Sequence, residues 1–168
     1  MKSAILFVSS SIASVIRSAR MDPRIQRLKT PGECVPFIRN ARDRGREDLA
    51  DNAMRRMVEP RATAYGATTS VERECLEAVY AYEEVLSARS GKCTYAARTW
   101  QMIKRHAILE AVDRVVSRPE DATGDTALIE MGSQQFAFEA VVVQHPEAFS
   151  SAAVERSRRR IAKCNENS

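Results

Sequence analysis

KCTYAARTWQMIKRHAILEAVDRVVSR, residues 92–118, is the stretch whose reading decides the fold. It holds the sole tryptophan, one of the two histidines and a cluster of basic residues. With successive residues turned by about 100° around a helix, Ala96, Trp100, Ile103 and Ala107 fall within a sector of about 60°. Ile108, Ala111, Val112 and Val115 form a second apolar set, rotated from the first by roughly one residue step of 100°. One straight helix cannot bury both sets equally well. The pattern therefore predicts two helices, or one sharply kinked helix, with the break at residues 105–107. Charge concentrates on the same segment. Lys92, Arg98, Lys104, Arg105, Arg114 and Arg118 against Glu110 and Asp113 leave a net of +4, equal to the formal net charge of the whole chain.

The segment before it is the chain's acidic counterpart. Thr69 with Glu72 three residues later is a capping box, and it opens the longest predicted helix, over 70–89. Val71, Cys75, Val79, Tyr82 and Leu86 form its expected buried stripe, with Ala78 and Val85 beside it, until Ser90-Gly91 stops it. Glu72, Glu74, Glu77, Glu83 and Glu84 are expected on a solvated face. Further upstream, Thr30-Pro31-Gly32-Glu33 is a second capping box, with proline suited to the first helical position. Cys34, Phe37, Ile38 and Ala41 then recur at helical spacing, and Gly45 stands where a left-handed residue closes a helix. Leu49, Ala50, Ala53 and Met57 line the next helix, which Pro60 should end or kink. Residues 31–59 thus read as an αα-hairpin, and 60–67 as a boundary.

Downstream, 119–126 (PEDATGDT) reads as a loop, 127–131 as a short helix ending at Gly132, and about 135–144 as a further helix stopped by Pro146. The consecutive valines 141–143 admit a short strand, but their setting favours helix. Ser150 or Ser151 should cap a last helix with Val154 and Ile161 on one face. Arg156, Arg158, Arg159, Arg160 and Lys163 should lie on its exposed face. Gly45-x3-Leu49-Ala50-x2-Ala53 is matched by Gly132-x3-Phe136-Ala137-x2-Ala140, two occurrences where a solenoid needs at least three.

Composition agrees with an all-α reading. The 168-residue chain is 44% apolar and 29% charged, as in ordinary globular proteins. Only 6% is aromatic, and six glycines and six prolines supply too few turns for a sandwich or barrel. Cys34, Cys75, Cys93 and Cys164 are scattered, with no CxxC and no Cys/His pair at zinc spacing. They read as buried or incidental thiols of a reducing cytoplasm. Within residues 1–20, Ile5–Val8 and Ile12–Ile16 are broken by serines, too short and polar to span a bilayer. That segment is expected outside the core. It reads as an extension upstream of Met21, as a loosely packed helix, or as a signal or anchor.

These readings give a compact all-α, multi-helix domain with αα-hairpins and a helix-turn-helix-like basic pair. Residues 1–20 form a non-core extension, 21–66 a helical hairpin, and 67–168 a helical domain that joins 21–66 or stands apart from it. No glycine-rich phosphate loop, GxSxG elbow or Glu-x-x-His pair is present, so neither catalytic nor metal residues nor a cofactor are assigned. His106 with Glu110, and His145 with Glu147, converge with no third ligand. The function expected is non-catalytic nucleic-acid binding, DNA before RNA, as an accessory of a larger system and without a membrane. The binding set is Lys92, Arg98, Lys104, Arg105, His106, Arg114 and Arg118, with Arg156, Arg159 and Arg160 from the last helix. A helical adaptor with a protein partner is the alternative. A nuclease or other hydrolase assembled by the fold is a third.

Overall fold

The computed structural model describes residues 22–118 and 134–166, with the side chains of Gln134 and of 164–166 outside the description. Among the described residues the chain is helical throughout, with no strand. The α-helices are α1 (Pro23–Gln26), α2 (Pro31–Arg42), α3 (Glu47–Tyr65), α4 (Ser70–Ser90), α5 (Ala97–His106), α6 (Ile108–Val116), α7 (Phe138–Gln144) and α8 (Ser151–Glu166). Single 3₁₀ turns cover Gln134–Phe136 and Pro146–Ala148. The valines 141–143 are helical. The expected extension 1–20, loop 119–126, helix 127–131 and Gly132 lie outside the described residues. Contacts divide the chain into two compact units, one up to Ala53 and one from Met54.

In the first unit the starts of α1 and α2 are secured locally. Asp22 accepts the Arg24 backbone N–H at 2.9 Å ahead of α1. Ahead of α2, the Glu33 carboxylate reaches back to the backbone N–H groups of Lys29 and Thr30 at 2.7 and 3.3 Å, as the capping box requires. Gly45 adopts φ +66, which lets the Arg46 N–H donate to the Ala41 carbonyl and closes α2. Ile25, Cys34, Ile38, Ala41, Leu49, Ala50 and Ala53 are buried.

Helix α3 does not end at Pro60 but runs on to Tyr65. Proline costs one backbone hydrogen bond there. The burial of Met57 and Val58 before it and Ala62 after it keeps the helix intact. The turn comes instead at Gly66, whose φ of +101 few other residues adopt.

The second unit is organised on α4. Its start is the capping box read from sequence: Glu72 accepts the N–H groups of Thr68 and Thr69, and Thr69 Oγ1 accepts the Glu72 N–H at 3.1 Å. It ends at Gly91 in the left-handed region. The expected single stripe is too narrow. Val71, Tyr82 and Leu86 are only half-buried, whereas Leu76, Ala81 and Glu83 are buried outright. The helix is covered on two sides because two cores flank it. One core packs Leu76 and Val79 with Ala62, Ala96, Trp100, Ile103 and Ala111. The other packs Cys75 with Val112, Val116, Val141, Val142, Ala153 and Val154. Burial pushes the Cys75 thiol up to about 12, so it stays an inert thiol. Cys34 is also buried and Cys93 exposed.

Candidate nucleic-acid interface

The break expected at residues 105–107 is present. Helix α5 ends at His106 and α6 begins at Ile108, with Ala107 between them at φ 62, ψ 173. Neither glycine nor proline stands there, and alanine is the best helix former. The joint is imposed by burial: Trp100 and Ile103 fill the first core while Val112 and Val116 fill the second. The sequence register was nearly right. Val116 is the fully buried valine and Val115 half-buried; Ala107, placed with the first apolar set, is the exposed joint itself.

The start of α5 is held from α4. Ala96 has no side chain able to cap a helix. Glu83, 3% exposed, supplies the acceptor instead. Its Oε1 accepts the Ala96 N–H at 2.8 Å and the Trp100 indole N–H at 2.7 Å. Arg61 donates to Glu83 at 3.3 Å and to Glu84 at 2.5 Å, and lies 4.2 Å over the ring of Tyr80. Tyr65, Tyr80 and Tyr95 surround the indole at centroid distances of 5.0, 5.2 and 6.0 Å.

The end of α6 is held from α8. Asp113 accepts the Ser150 N–H at 2.6 Å and its hydroxyl at 2.9 Å. Ser150 Oγ in turn accepts the Ala153 N–H, so Ser150 is the cap of α8. Arg160 donates to the Arg118 carbonyl at 2.9 Å and to the buried Glu139 carboxylate at 2.6 Å.

With both ends fixed, α5 and α6 enclose an open cleft of about 630 Å³. Arg98, Gln101, Met102, Arg105, His106, Arg114, Ser117 and Arg118 line it. The α5 contribution is the stripe Arg98, Gln101, Met102, Arg105, spaced 3, 4 and 7 on a different face from Trp100 and Ile103, with His106 at the end of the helix. Arg118 comes back along α5 and donates to the Met102 sulfur at 3.4 Å. Among the described residues, the carboxylates beside these four guanidinium groups are Asp113, 3.4 Å from the hydroxyl of the lining Ser117, and Glu110, the one in contact with a lining arginine. That carboxylate pairs with Arg114 at 2.7 Å and lies 3.8 Å from His106 Nδ1. The side chains of Arg98 and Arg105 make no hydrogen bond or ion pair among the described residues. A planar guanidinium offers five donors and no acceptor, so such a cleft fits phosphate or carboxylate oxygens.

The ten residues singled out from sequence do not all gather here. Arg98, Arg105, His106, Arg114 and Arg118 line the cleft. Lys92 and Lys104 are exposed outside its lining. Arg159 is exposed and paired with Glu155. Two belong to a different class. Arg160, expected on an open face, has a side chain only 11% exposed because Glu139 and the Arg118 carbonyl hold it inward. Arg156 is half-buried, with Nη1 enclosed. Gln101, Met102 and Ser117 were missed, although the spacing of Gln101 and Met102 from Arg98 places them on its stripe.

The acidic face of α4 also departs from expectation: none of its five glutamates is exposed. Glu72 caps, Glu83 and Glu84 receive Arg61, and Glu74 meets His145 Nε2 at 2.9 Å. Glu77 is pushed up to about 7, by burial first and then by Glu59. Among the described residues no three His, Cys, Asp or Glu side chains gather as a metal site. No described helix is long and apolar enough to cross a membrane. No protein-family model, curated protein or solved structure matches the chain.

Proposed function

We propose that the protein is a non-catalytic nucleic-acid-binding protein whose contact surface is the α5–α6 cleft. The observation that supports this reading is the convergence of Arg98, Arg105, Arg114 and Arg118 on one open concavity where, among the described residues, only Arg114 is paired with a carboxylate. Phosphodiester oxygens are the polyanionic partner that matches several guanidinium forks at once. Arg160 contributes indirectly, by fixing the backbone at Arg118. Lys104 extends the positive surface, and Lys92 stands on the loop before α5.

The test is a salt-titrated binding assay with single-stranded and duplex oligonucleotides. Each phosphate contact on duplex should contribute about −0.9 to the slope of log K against log salt, and about −0.7 on a single strand. Changing Arg98 and Arg105 together to glutamine should leave the melting transition in place, weaken binding to every sequence and flatten the slope by about two contacts. If the parent protein binds no nucleic acid at low salt, the reading falls and a protein-binding adaptor replaces it. If the double variant binds with an unchanged slope, the contact surface is elsewhere and Arg158, Arg159 and Lys163 on α8 are next to be changed.

A further inference from the structure

Outside the cleft lining, just ahead of the helix that carries Arg98 and Arg105, stands an aromatic side chain that phosphate contact leaves unused. Tyr95 is 63% exposed, the most open large apolar side chain among the described residues. Its ring lies nearly parallel to that of Trp100, 16° apart at a centroid distance of 6.0 Å, and most of the residue's surface is open to water. The exposure does not come from a loose loop. Thr94 N–H donates to Ser87 Oγ at 2.8 Å, Ser90 Oγ donates to the Lys92 carbonyl at 3.0 Å, and Ala97 N–H donates to the Tyr95 carbonyl at 2.9 Å. Behind the ring stands Trp100, itself held by Glu83 at 2.7 Å. A flat aromatic face is therefore presented on a fixed backing, where a stacking partner needs little ordering of the protein.

Tyr95 is also close to the arginines. Three Cα steps of about 3.8 Å separate it from Arg98, so the two Cα atoms stand no more than about 11 Å apart. A strand in a B-form duplex advances roughly 3.4 Å per nucleotide and an extended unpaired strand more, so that span covers at most about three nucleotides. A strand with its phosphates on Arg98 and Arg105 thus brings a base to the Tyr95 ring within a few nucleotides.

The base must be unpaired to be reached, and α6 gives a second reason to favour an unpaired strand. In a helix-turn-helix pair the second helix reads a duplex with its N-terminal residues in the major groove. The first turn of α6 offers Ile108 and Leu109, both half-buried against the cores, Glu110, and buried Ala111. Its one exposed polar group is an anion. Further along, Asp113 is occupied by Ser150 and Arg114 is paired with Glu110. The helix is poorly furnished for base edges, whereas a basic groove beside an exposed aromatic is the usual equipment for single strands.

Building on the phosphate-binding reading of the cleft, we infer that the ligand is an unpaired strand of nucleic acid. Its phosphates lie on Arg98 and Arg105, and one of its bases stacks on Tyr95. Trp100 serves as a built-in reporter, being the sole indole and in ring contact with Tyr95.

The experiment uses the full chain and three probes: labelled fifteen-nucleotide oligothymidylate, a blunt duplex of the same length, and inorganic polyphosphate. The parent should bind the single strand more tightly than the duplex and should change its Trp100 emission with the oligonucleotide but not with polyphosphate. Tyr95→Ala should weaken single-strand binding by about five- to 150-fold, the range of one base–aromatic stack. It should leave the salt slope and polyphosphate affinity unchanged. Tyr95→Phe should bind like the parent. A thermal melt of each variant shows that the fold persists. Three results overturn the inference: Tyr95→Ala binding the single strand as the parent does, Tyr95→Phe failing like Tyr95→Ala, or the duplex binding more tightly. In each of these the phosphate-binding cleft stands as long as Arg98→Gln with Arg105→Gln weakens polyphosphate. Absence of binding to all three probes at low salt overturns the cleft and the stack together.

Discussion

The indole N–H of Trp100 donates to the carboxylate of Glu83 across 2.7 Å, and both side chains are buried, at 3% exposure each. One carboxylate oxygen thereby caps α5, orients the sole tryptophan and joins α4 to the helix that carries the basic stripe. Arg61 balances the charge from α3. A buried charge of this kind contributes little net stability relative to a well-packed apolar pair, but removing one partner strands the others.

Glu83→Ala should therefore destabilise the fold by about 3–5 kcal/mol, because it leaves two buried N–H groups without their acceptor and Arg61 with Glu84 alone. Glu83→Gln keeps one carbonyl acceptor and should cost less, about 1–3 kcal/mol. Urea unfolding followed by Trp100 emission measures both. Equal stability of Glu83→Ala and the parent would contradict the capping role.

Ala107 makes the opposite prediction. At φ 62, ψ 173 it occupies a region that residues with a Cβ rarely enter, with a strain of order 1–3 kcal/mol. Glycine enters the region freely but loses more entropy on folding, about 1 kcal/mol. Ala107→Gly should thus be neutral to stabilising by up to about 2 kcal/mol, where the same change inside a straight helix would destabilise. A lowered unfolding midpoint would mean that the joint carries no strain.

Glu77 sets a pH dependence. Its carboxyl is raised to about 7 in the fold, against an ordinary value near 4.5, because it is buried and stands near Glu59 and Glu74 with Arg55 and Arg73 only partly offsetting them. Between those values the folded state holds a proton that the unfolded state has released. The contribution is therefore full below about pH 4.5 and is lost as pH rises through about 7. The Glu77→Gln variant should lose this slope and gain stability relative to the parent at pH 8. Urea midpoints at pH 5, 6.5 and 8 for both proteins measure it; parallel curves would contradict the shift.

Much of the helical layout is legible in local sequence. Both capping boxes, the closing glycines at 45 and 91, and the two rotated apolar sets of 92–118 act through neighbours a few residues apart. Pro60 misled as a helix end because its local cost was outweighed by burial on either side of it. The glutamates of α4 misled for a related reason. Their partners Arg61 and His145 are distant in sequence, at separations of 22 and 71 residues.

Sequence alone thus determined that the chain is helical, where most helices begin and end, and that 92–118 must break, because helical period and capping chemistry are local. Only the tertiary structure decided that Arg98 and Arg105 face Arg114 and Arg118 across one cleft, that Arg160 is turned inward, and that Glu83 is a buried cap. Those outcomes depend on how α4 and α8 pack against the break. Packing couples residues whose separation along the chain carries no periodic signal.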